Sequence, residues 1–427
     1  MLIQFTVGNF RSFKDKASLS LEATHDDWRE DDNLAQLPSQ RLVKAASIYG
    51  PNAGGKSNFL KAMIFFREFI KESSKDTQKG EPIPVVPFRL HATTESAPSF
   101  FEAIFLHNGT RYRYGFEATP QAVRSEWLFK QADSIRETRL FTREGDQIEA
   151  SDSFKEGKGL ESRTRPNALF LSVVAQFNGQ VAGEVLNWMN QFRSISGLED
   201  EGYLEFTSKR LSDPEFGPLI RELVKQADIG IEDLARQDIA RDKLPEVLPK
   251  TFPKDLREFL LRTATAGAYA VKTYHKRFDG EDKPTGMVEF DLKTDESAGT
   301  QKFVALTGPF LHTLREGSVL FVDELEARLH PLLTKALVAL FNSSANRKHA
   351  QLIFATHDVG LLDSKRIRRD QVWFVEKNAM GASRLYCLDE FKGVRREAKF
   401  AQEYLLGQFG GVPRLGDFQE VLQLGRE

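Results

Sequence analysis

The 427-residue sequence predicts an α/β fold: a β-rich N-terminal lobe, a mostly helical insertion, and a C-terminal lobe on a mainly parallel sheet. Three stretches carry that expectation. Residues 45–49 are a short apolar run that enters a glycine-rich loop and then an amphipathic helical pattern. From residue 297 onward, apolar runs of strand length alternate with helical patterns, as parallel β–α units do. Residues 319–322 (VLFV) are apolar throughout, the pattern of a strand buried in the middle of such a sheet.

The elements follow in order. Residues 2–7 alternate apolar and polar and read as a strand. Gly8–Asn9 turns the chain, and residues 17–22 read as its antiparallel partner. Residues 25–40 are polar and acidic, a surface loop. Apolar residues at 59, 60, 63, 66, 69 and 70 give 58–72 helical spacing. Residues 73–98 hold four of the 17 prolines and read as a connector. Residues 99–106 and 110–118 flank His107–Asn108–Gly109 as a hairpin, and 122–130 and 137–142 continue the meander. Residues 144–166 are polar and charged, a loop. Residues 168–177 and 184–192 read as helical, as does most of 200–275 between its prolines; 288–292 is a strand. A helix from Ser297 to about Arg315 follows, then a strand at 318–323, a helix at 329–342, a strand at 351–356, a short helix from Gly360 and a strand at 371–376. The expected organisation is two lobes, 1–180 and 288–427, around an insertion at 181–287.

Composition narrows the function. Lys+Arg (59) and Asp+Glu (61) nearly cancel to −2, so nucleic acid could be held only by a local patch. The single cysteine, Cys387, excludes an intrachain disulfide and a cysteine-rich zinc site, and it fits a reducing cytosol. The N-terminus lacks a basic stretch followed by a long apolar one, and no apolar run approaches the ~18 residues of a spanning helix. A cytoplasmic protein without membrane contact is expected. The 34 phenylalanines, against 8 tyrosines, read as core filling.

Four motifs carry chemistry. Gly50–Pro51–Asn52–Ala53–Gly54–Gly55–Lys56–Ser57 matches G-x-x-x-x-G-K-[ST] without deviation. Around Asn52, the glycines Gly50, Gly54 and Gly55 let backbone N–H groups curl about phosphate oxygens, where a Cβ would obstruct. The following helix adds its positive end. Lys56 should reach the β- and γ-phosphates of ATP, and the Ser57 hydroxyl should coordinate Mg²⁺. The second motif is Asp323–Glu324 at the end of the VLFV strand, the edge where phosphate sites lie in open α/β sheets. Asp323 should hold Mg²⁺, and Glu324 should polarise the attacking water. Third, His357 ends a strand 33 residues after Glu324, placed to sense the γ-phosphate or the water. Fourth, Ser297–Ala298–Gly299 opens the helix that leads to the acidic strand, an anion-binding end as well as an ordinary N-cap.

This set resembles the ABC-type ATPases of the SMC, RecF and OLD kind, in which the phosphate loop lies far from its acidic strand; here Ser57 and Leu320 stand 263 positions apart. Asn9–Phe10–Arg11–Ser12–Phe13 is similar to their N-terminal strand-turn signature, where Arg11 would approach the nucleotide. The runs 324–331 (ELEARLHP) and 406–413 (LGQFGGVP) resemble, more narrowly, stand-alone bacterial ATP-binding proteins of the AAA or OLD-like kind. Several of those serve in phage-defence operons beside a separate effector. The resemblance implies an ABC-type P-loop NTPase head that works as a homodimer or higher homo-oligomer. Two heads would sandwich two ATP molecules, each between the phosphate loop of one subunit and the Ser297–Gly299 motif of the other. Residues 297–301 (SAGTQ) are a variant of the family's motif, and residues 85–110 contain no glutamine to serve as its glutamine loop.

In SMC-type relatives the insertion carries a long coiled coil. Here it is short and broken by prolines, so a compact head is expected, its insertion either binding a partner or completing the core. The 70 residues after His357 are too few for the Toprim nuclease domain of OLD nucleases, and no H-x-H or H-E-x-x-H spacing suggests catalytic zinc. The basic clusters Lys365, Arg366, Arg368, Arg369 and Arg395, Arg396, Lys399 read first as solvated surface, and second as phosphate-backbone contacts. The leading functional expectation is a sensor or regulator of a separately encoded effector, a nuclease or toxin, in anti-phage defence. The alternatives are a RecF-like DNA-repair ATPase on duplex DNA and a scaffold with structural nucleotide.

Overall fold

The computed structural model describes residues 1–38, 40–75, 78–131, 136–197, 201–240, 268–395, 397–413 and 416. The helical reading of 241–267 and Arg396 of the second basic cluster lie outside the described residues. The described strands, in chain order, are β1 (Leu2–Gly8), β2 (Ala17–Ser20), β3 (Leu34–Gln36), β4 (Arg41–Val43), β5 (Ala45–Tyr49), β6 (Ser99–His107), β7 (Thr110–Ala118), β8 (Val123–Gln131), β9 (Thr138–Glu144), β10 (Gln147–Ala150), β11 (Phe192–Ser196), β12 (Asp233–Ile239), β13 (Ala268–Phe278), β14 (Pro284–Asp291), β15 (Val319–Asp323), β16 (Gln351–Ala355), β17 (Val372–Lys377) and β18 (Ser383–Cys387).

The chain divides into two compact units. The first comprises 1–197, 313–326 and 335–427. It holds a seven-stranded sheet in the order β10-β9-β8-β7-β6-β1-β2, antiparallel throughout, and a six-stranded sheet in the order β11-β15-β16-β5-β17-β18. The second sheet is parallel from β11 to β17, and only the edge strand β18 runs opposite. Its central strands are apolar and buried along their length, which is why they read as unbroken runs. Register aligns their ends: Val322 pairs with Phe354, and Ala355 pairs with Ile48. The last residues of β5, β15 and β16 therefore share one edge of the sheet.

The helix Lys56–Glu72 springs from β5 and buries Phe59, Met63, Phe66 and Ile70. Phe59 and Phe66 lie edge-on to Phe5 of β1, and Phe66 stacks on Phe116 of β7 at 5.6 Å. The phenylalanines thus fill the core as their number suggested. Each fully buried ring contributes about 1.5–3 kcal/mol. The helix Gln180–Met189 belongs to the same core, because Trp188 is wholly buried and stacks on Phe105 of β6 at 3.6 Å. Residues 181–197 therefore belong to this unit rather than to the insertion that the sequence suggested. Residues 144–166, read as loop, hold β10 and two 3₁₀ turns.

The second unit comprises 198–312 and 327–334. Its described part has the helices Glu201–Leu211 and Phe216–Gln226, the beginning of the helix Ala298–Glu316, and an antiparallel sheet in the order β12-β13-β14. The mostly helical expectation for 200–275 is corrected here, since β12 and β13 are strands. Val271 and Thr273 are buried while Lys272 between them is not, a period of two set by β-branched residues. Among the described residues no helix is long and apolar enough to cross a membrane.

Candidate nucleotide-binding site

The loop after β5 is shaped by two tight approaches. Gly50 has φ +157°, and a Cβ there would stand 2.2 Å from the Val375 carbonyl oxygen. Gly55 has φ +124°, and its Cβ would meet Ser383 Oγ at 2.4 Å. Ala53 holds φ +61° between them. Glycine at 50 and 55 is thus a steric requirement. Gly54 N donates to Pro51 O at 3.0 Å, and Ser383 Oγ donates to Gly54 O at 2.7 Å. Ser383 N in turn donates to Ser12 O, and Asn58 Nδ2 donates to Ser12 Oγ at 2.9 Å. The N-terminal turn, the loop and the head of β18 are one hydrogen-bonded unit.

Lys56 is 6% exposed. Its ammonium donates to Gly50 O (2.9 Å) and Pro51 O (3.3 Å), and its Nζ lies 2.8 Å from His357 Nε2. Burial lowers its pKa, and Asp323, Glu326 and Glu324 oppose that shift. Burial lowers the His357 pKa as well, and the neighbouring Lys56 charge lowers it further. A neutral His357 accepts from Lys56 through Nε2 and keeps its own proton on Nδ1.

The acids come from the end of β15. Gly197 N donates to Asp323 O at 2.7 Å, and a Cβ on Gly197 would stand 2.0 Å from Glu324 O. Glu324 has φ +52°, a conformation uncommon for glutamate and costing on the order of 1 kcal/mol. It turns the chain so that Glu324 faces the phosphate loop; a cavity of about 170 Å³ is lined by Gly54, Lys56, Ser57, Asn58, Glu324 and His357. Glu326 Oε1 accepts the His357 backbone N–H at 2.5 Å, which ties the histidine to the acidic strand. Among the described residues, one oxygen each of Asp323 and Glu326 is buried without a hydrogen-bond donor.

Mg²⁺ fits this donor set. Three carboxylates face one ammonium, and a buried carboxylate oxygen of Asp323 lacks a donor that a hard cation would replace. Among the described residues no group of three His, Cys, Asp or Glu side chains is placed to hold a metal ion by itself.

The structure therefore brings together Gly50, Asn52, Gly54, Gly55, Lys56, Ser57, Glu324 and His357, with Asp323 at the same sheet edge. Arg11 sits at the tip of the N-terminal turn with φ +50°, its side chain exposed and its guanidinium 5.5 Å from the Phe10 ring centre. Its neighbour Ser12 touches the loop instead. Ser297 and Gly299 lie in the second unit. Ser297 Oγ accepts Thr300 N at 3.2 Å as an N-cap, and a Cβ on Gly299 would stand 2.7 Å from Arg328 O. Ser12, Asn58, Glu326 and Ser383 were not singled out from sequence. The E-L-E spacing at 324–326 could have shown Glu326, whereas nothing local marks Ser383.

A glycine loop between a buried strand and a helix, with an acid pair at the same edge of a parallel sheet, defines a P-loop NTPase head. Residues 45–363 match the family described as "AAA domain, putative AbiEii toxin, Type IV TA system". The match spans most of the sequence, and the chain belongs to that family. No curated protein matches the sequence. Among solved structures, the chain is similar to the SMC head domain from Thermotoga maritima, at 12% identity and TM-score 0.41, over 90% of this chain and 98% of that one. It is similar also to an SMC head bound to the C-winged helix domain of ScpA, at 13% identity and TM-score 0.41, over 90% and 97%. A third likeness is to the recombination mediator protein RecF with ATP, at 13% identity and TM-score 0.34, over 90% and 97%.

Proposed function

We propose that the chain is a Mg²⁺-dependent ATPase head that closes as a homodimer around ATP and governs a separately encoded effector in bacterial anti-phage defence. The observation that carries the reading is the shared cavity of Lys56, Ser57, Glu324 and His357, with the donorless Asp323 oxygen beside it. The family's description names a putative toxin of a type IV toxin–antitoxin system, which supports control of a toxic effector.

Lys56 now spends its donors on Gly50 O, Pro51 O and His357. Phosphate oxygens compete for the same ammonium. As Lys56 turns to them, His357 Nε2 is released to accept a hydrogen bond at the γ-phosphate end of the site. Glu324 takes a proton from the attacking water, and Glu326 keeps His357 in place through its backbone. Mg²⁺, held by Ser57 and Asp323, would neutralise charge on the phosphates. Ser297 and Gly299 would offer a helix N-terminus to the nucleotide of a partner head, and Arg11 would flank the nucleotide from its turn. Such a head acts in the cytoplasm.

Light scattering on Glu324→Gln protein, co-expressed with its genomic neighbours, tests the reading. ATP with Mg²⁺ should produce a dimer or larger complex carrying a neighbour's product, while turnover falls about 10²–10⁴-fold. An ATP-bound species that stays a monomer would overturn the dimeric part. Salt-sensitive duplex binding without any recovered neighbour would move the assignment to DNA repair.

A further inference from the structure

A second cavity, of about 510 Å³, opens in the first unit beyond the His357 loop. That volume lies in the range of small-molecule sites. Its walls are apolar: Val338 and Ala339 from the helix Pro331–Phe341, Phe354 from β16, and Leu361 and Ile367 from the segment after His357. Four cations line it, Arg29, Lys335, Lys365 and Arg366, against one acid, Asp363.

Two of the cations are already engaged. Arg29 bonds Asp32 at 2.6 Å and the Lys365 carbonyl at 3.0 Å, and Arg366 lies 3.6 Å from Asp363. The ammonium groups of Lys335 and Lys365 make no ion pair among the described residues. Lys335 is the telling one. It is half-buried, and its Nζ lies 3.5 Å from where a Cβ on Gly360 would be. Asp358 Oδ1 lies 2.8 Å from that same point, so the ammonium is held at the cavity wall beside one carboxylate and an apolar floor. A solvated surface lysine has no such placement.

We propose that this cavity is a binding site for a small amphipathic anion. An aromatic or aliphatic body would pack on Val338, Ala339, Leu361 and Ile367, and a phosphate, carboxylate or sulfonate head would meet Lys335, with Lys365 at the rim. Two lysines without an ion pair among the described residues suit a singly charged head better than a triphosphate. The cavity is joined to the nucleotide site along the chain, since its Gly360 follows His357 by three residues. Asp358 Oδ1 accepts Gly360 N at 2.8 Å and shapes the turn 359–361 that leads directly from His357. Occupancy would thereby bear on the His357 loop; that consequence rests on the ATPase reading, whereas binding itself does not.

The experiment is a fluorescence titration of the full chain with 1-anilinonaphthalene-8-sulfonate, an aromatic body with one sulfonate. One saturable site with blue-shifted emission is expected. Lys335→Glu should weaken it about tenfold. Ala339→Trp, at an exposed position on the cavity wall, should abolish it while leaving the circular-dichroism melt unchanged. Lys365→Glu, on the exposed rim, should weaken binding less than Lys335→Glu does. Equal binding by wild type and all three variants overturns the proposal. So does complete displacement by inorganic phosphate at the same concentration, since the apolar walls would then contribute nothing. Glu324→Gln should bind the probe as wild type does. Failure of the titration in protein that still binds ATP defeats this site alone and leaves the ATPase reading standing.

Discussion

The Lys56–His357 contact sets what a proton does in this site. Burial and the Lys56 charge hold the His357 pKa below its ordinary value, while three carboxylates pull the other way. The unfolded chain therefore binds more protons than the folded one between the lowered value and about 6.5. Stability rises with pH across that window and is lost as pH falls through it. Replacing Lys56 by methionine removes one of the two lowering causes and leaves the carboxylates. The His357 titration, followed by NMR of its ring carbon-bound protons, should move upward in Lys56→Met, with a shallower acid loss of stability. An unchanged titration would show that burial alone sets it. The gathering of Lys56, Ser57 and Glu324 at one cavity was legible because each sits in a local pattern of fixed spacing. Ser383 was not, because its bond to Gly54 joins residues 329 positions apart, and only the pairing of β17 with β18 brings them together.

Elements explain where the acids point. β15 pairs with β11 up to Ser196↔Asp323, and Gly197 then passes so close to Glu324 that no Cβ fits. Gly197→Ala should displace the Asp323–Glu324 backbone, with turnover falling at least tenfold and a stability loss of about 1–3 kcal/mol in denaturant melts. Full turnover in that variant would mean that the acids tolerate the shift. A second element-level constraint holds the seven-stranded sheet to the helix Phe170–Gln176. Glu126 of β8 is wholly buried and accepts from Tyr114 Oη, Phe170 N and Leu171 N; Arg143 of β9, also buried, lies 3.9 Å away. Burial raises the Glu126 pKa, and Arg143 opposes the rise. Its contribution is thus present at acid pH and lost as pH rises past the carboxylate's unfolded value. Arg143→Met strands a buried carboxylate and should cost about 3–5 kcal/mol, well beyond the cost of Glu126→Gln. Equal losses in thermal melts would assign the contribution of Arg143 to its bonds to the Gly145, Ala168 and Pro166 carbonyls and not to Glu126. The strands β5, β15 and β16 were readable from sequence since burial on both faces leaves unbroken apolar runs. β12 and β13 were misread because their alternation is half-exposed and lies beside helices with stronger signals.

At the scale of the whole molecule, the phosphate loop belongs to the first unit, and Ser297 and Gly299 belong to the second. Their chemistry is complementary. The loop supplies a lysine, a hydroxyl and an acid-lined cavity, while Ser297 heads a helix whose N-terminal N–H groups favour an anion. If each nucleotide takes its loop from one chain and its Ser297 from the other, damage to the two parts must complement between chains. Lys56→Ala alone should abolish hydrolysis, because every loop is defective. Ser297→Arg alone should do the same, because every helix start is blocked. Mixed in equal amounts, the two inactive proteins form heterodimers in which one site has both defects and the other has neither. Half the dimers carry one good site of two, so about a quarter of wild-type turnover should return. A mixture that stays inactive, while each variant still dimerises by light scattering, would place Ser297 and the loop of one chain on the same nucleotide. The recovered fraction discriminates because a structural role for Ser297, capping Thr300 at 3.2 Å, fails identically in every chain that carries the substitution and cannot be rescued from outside.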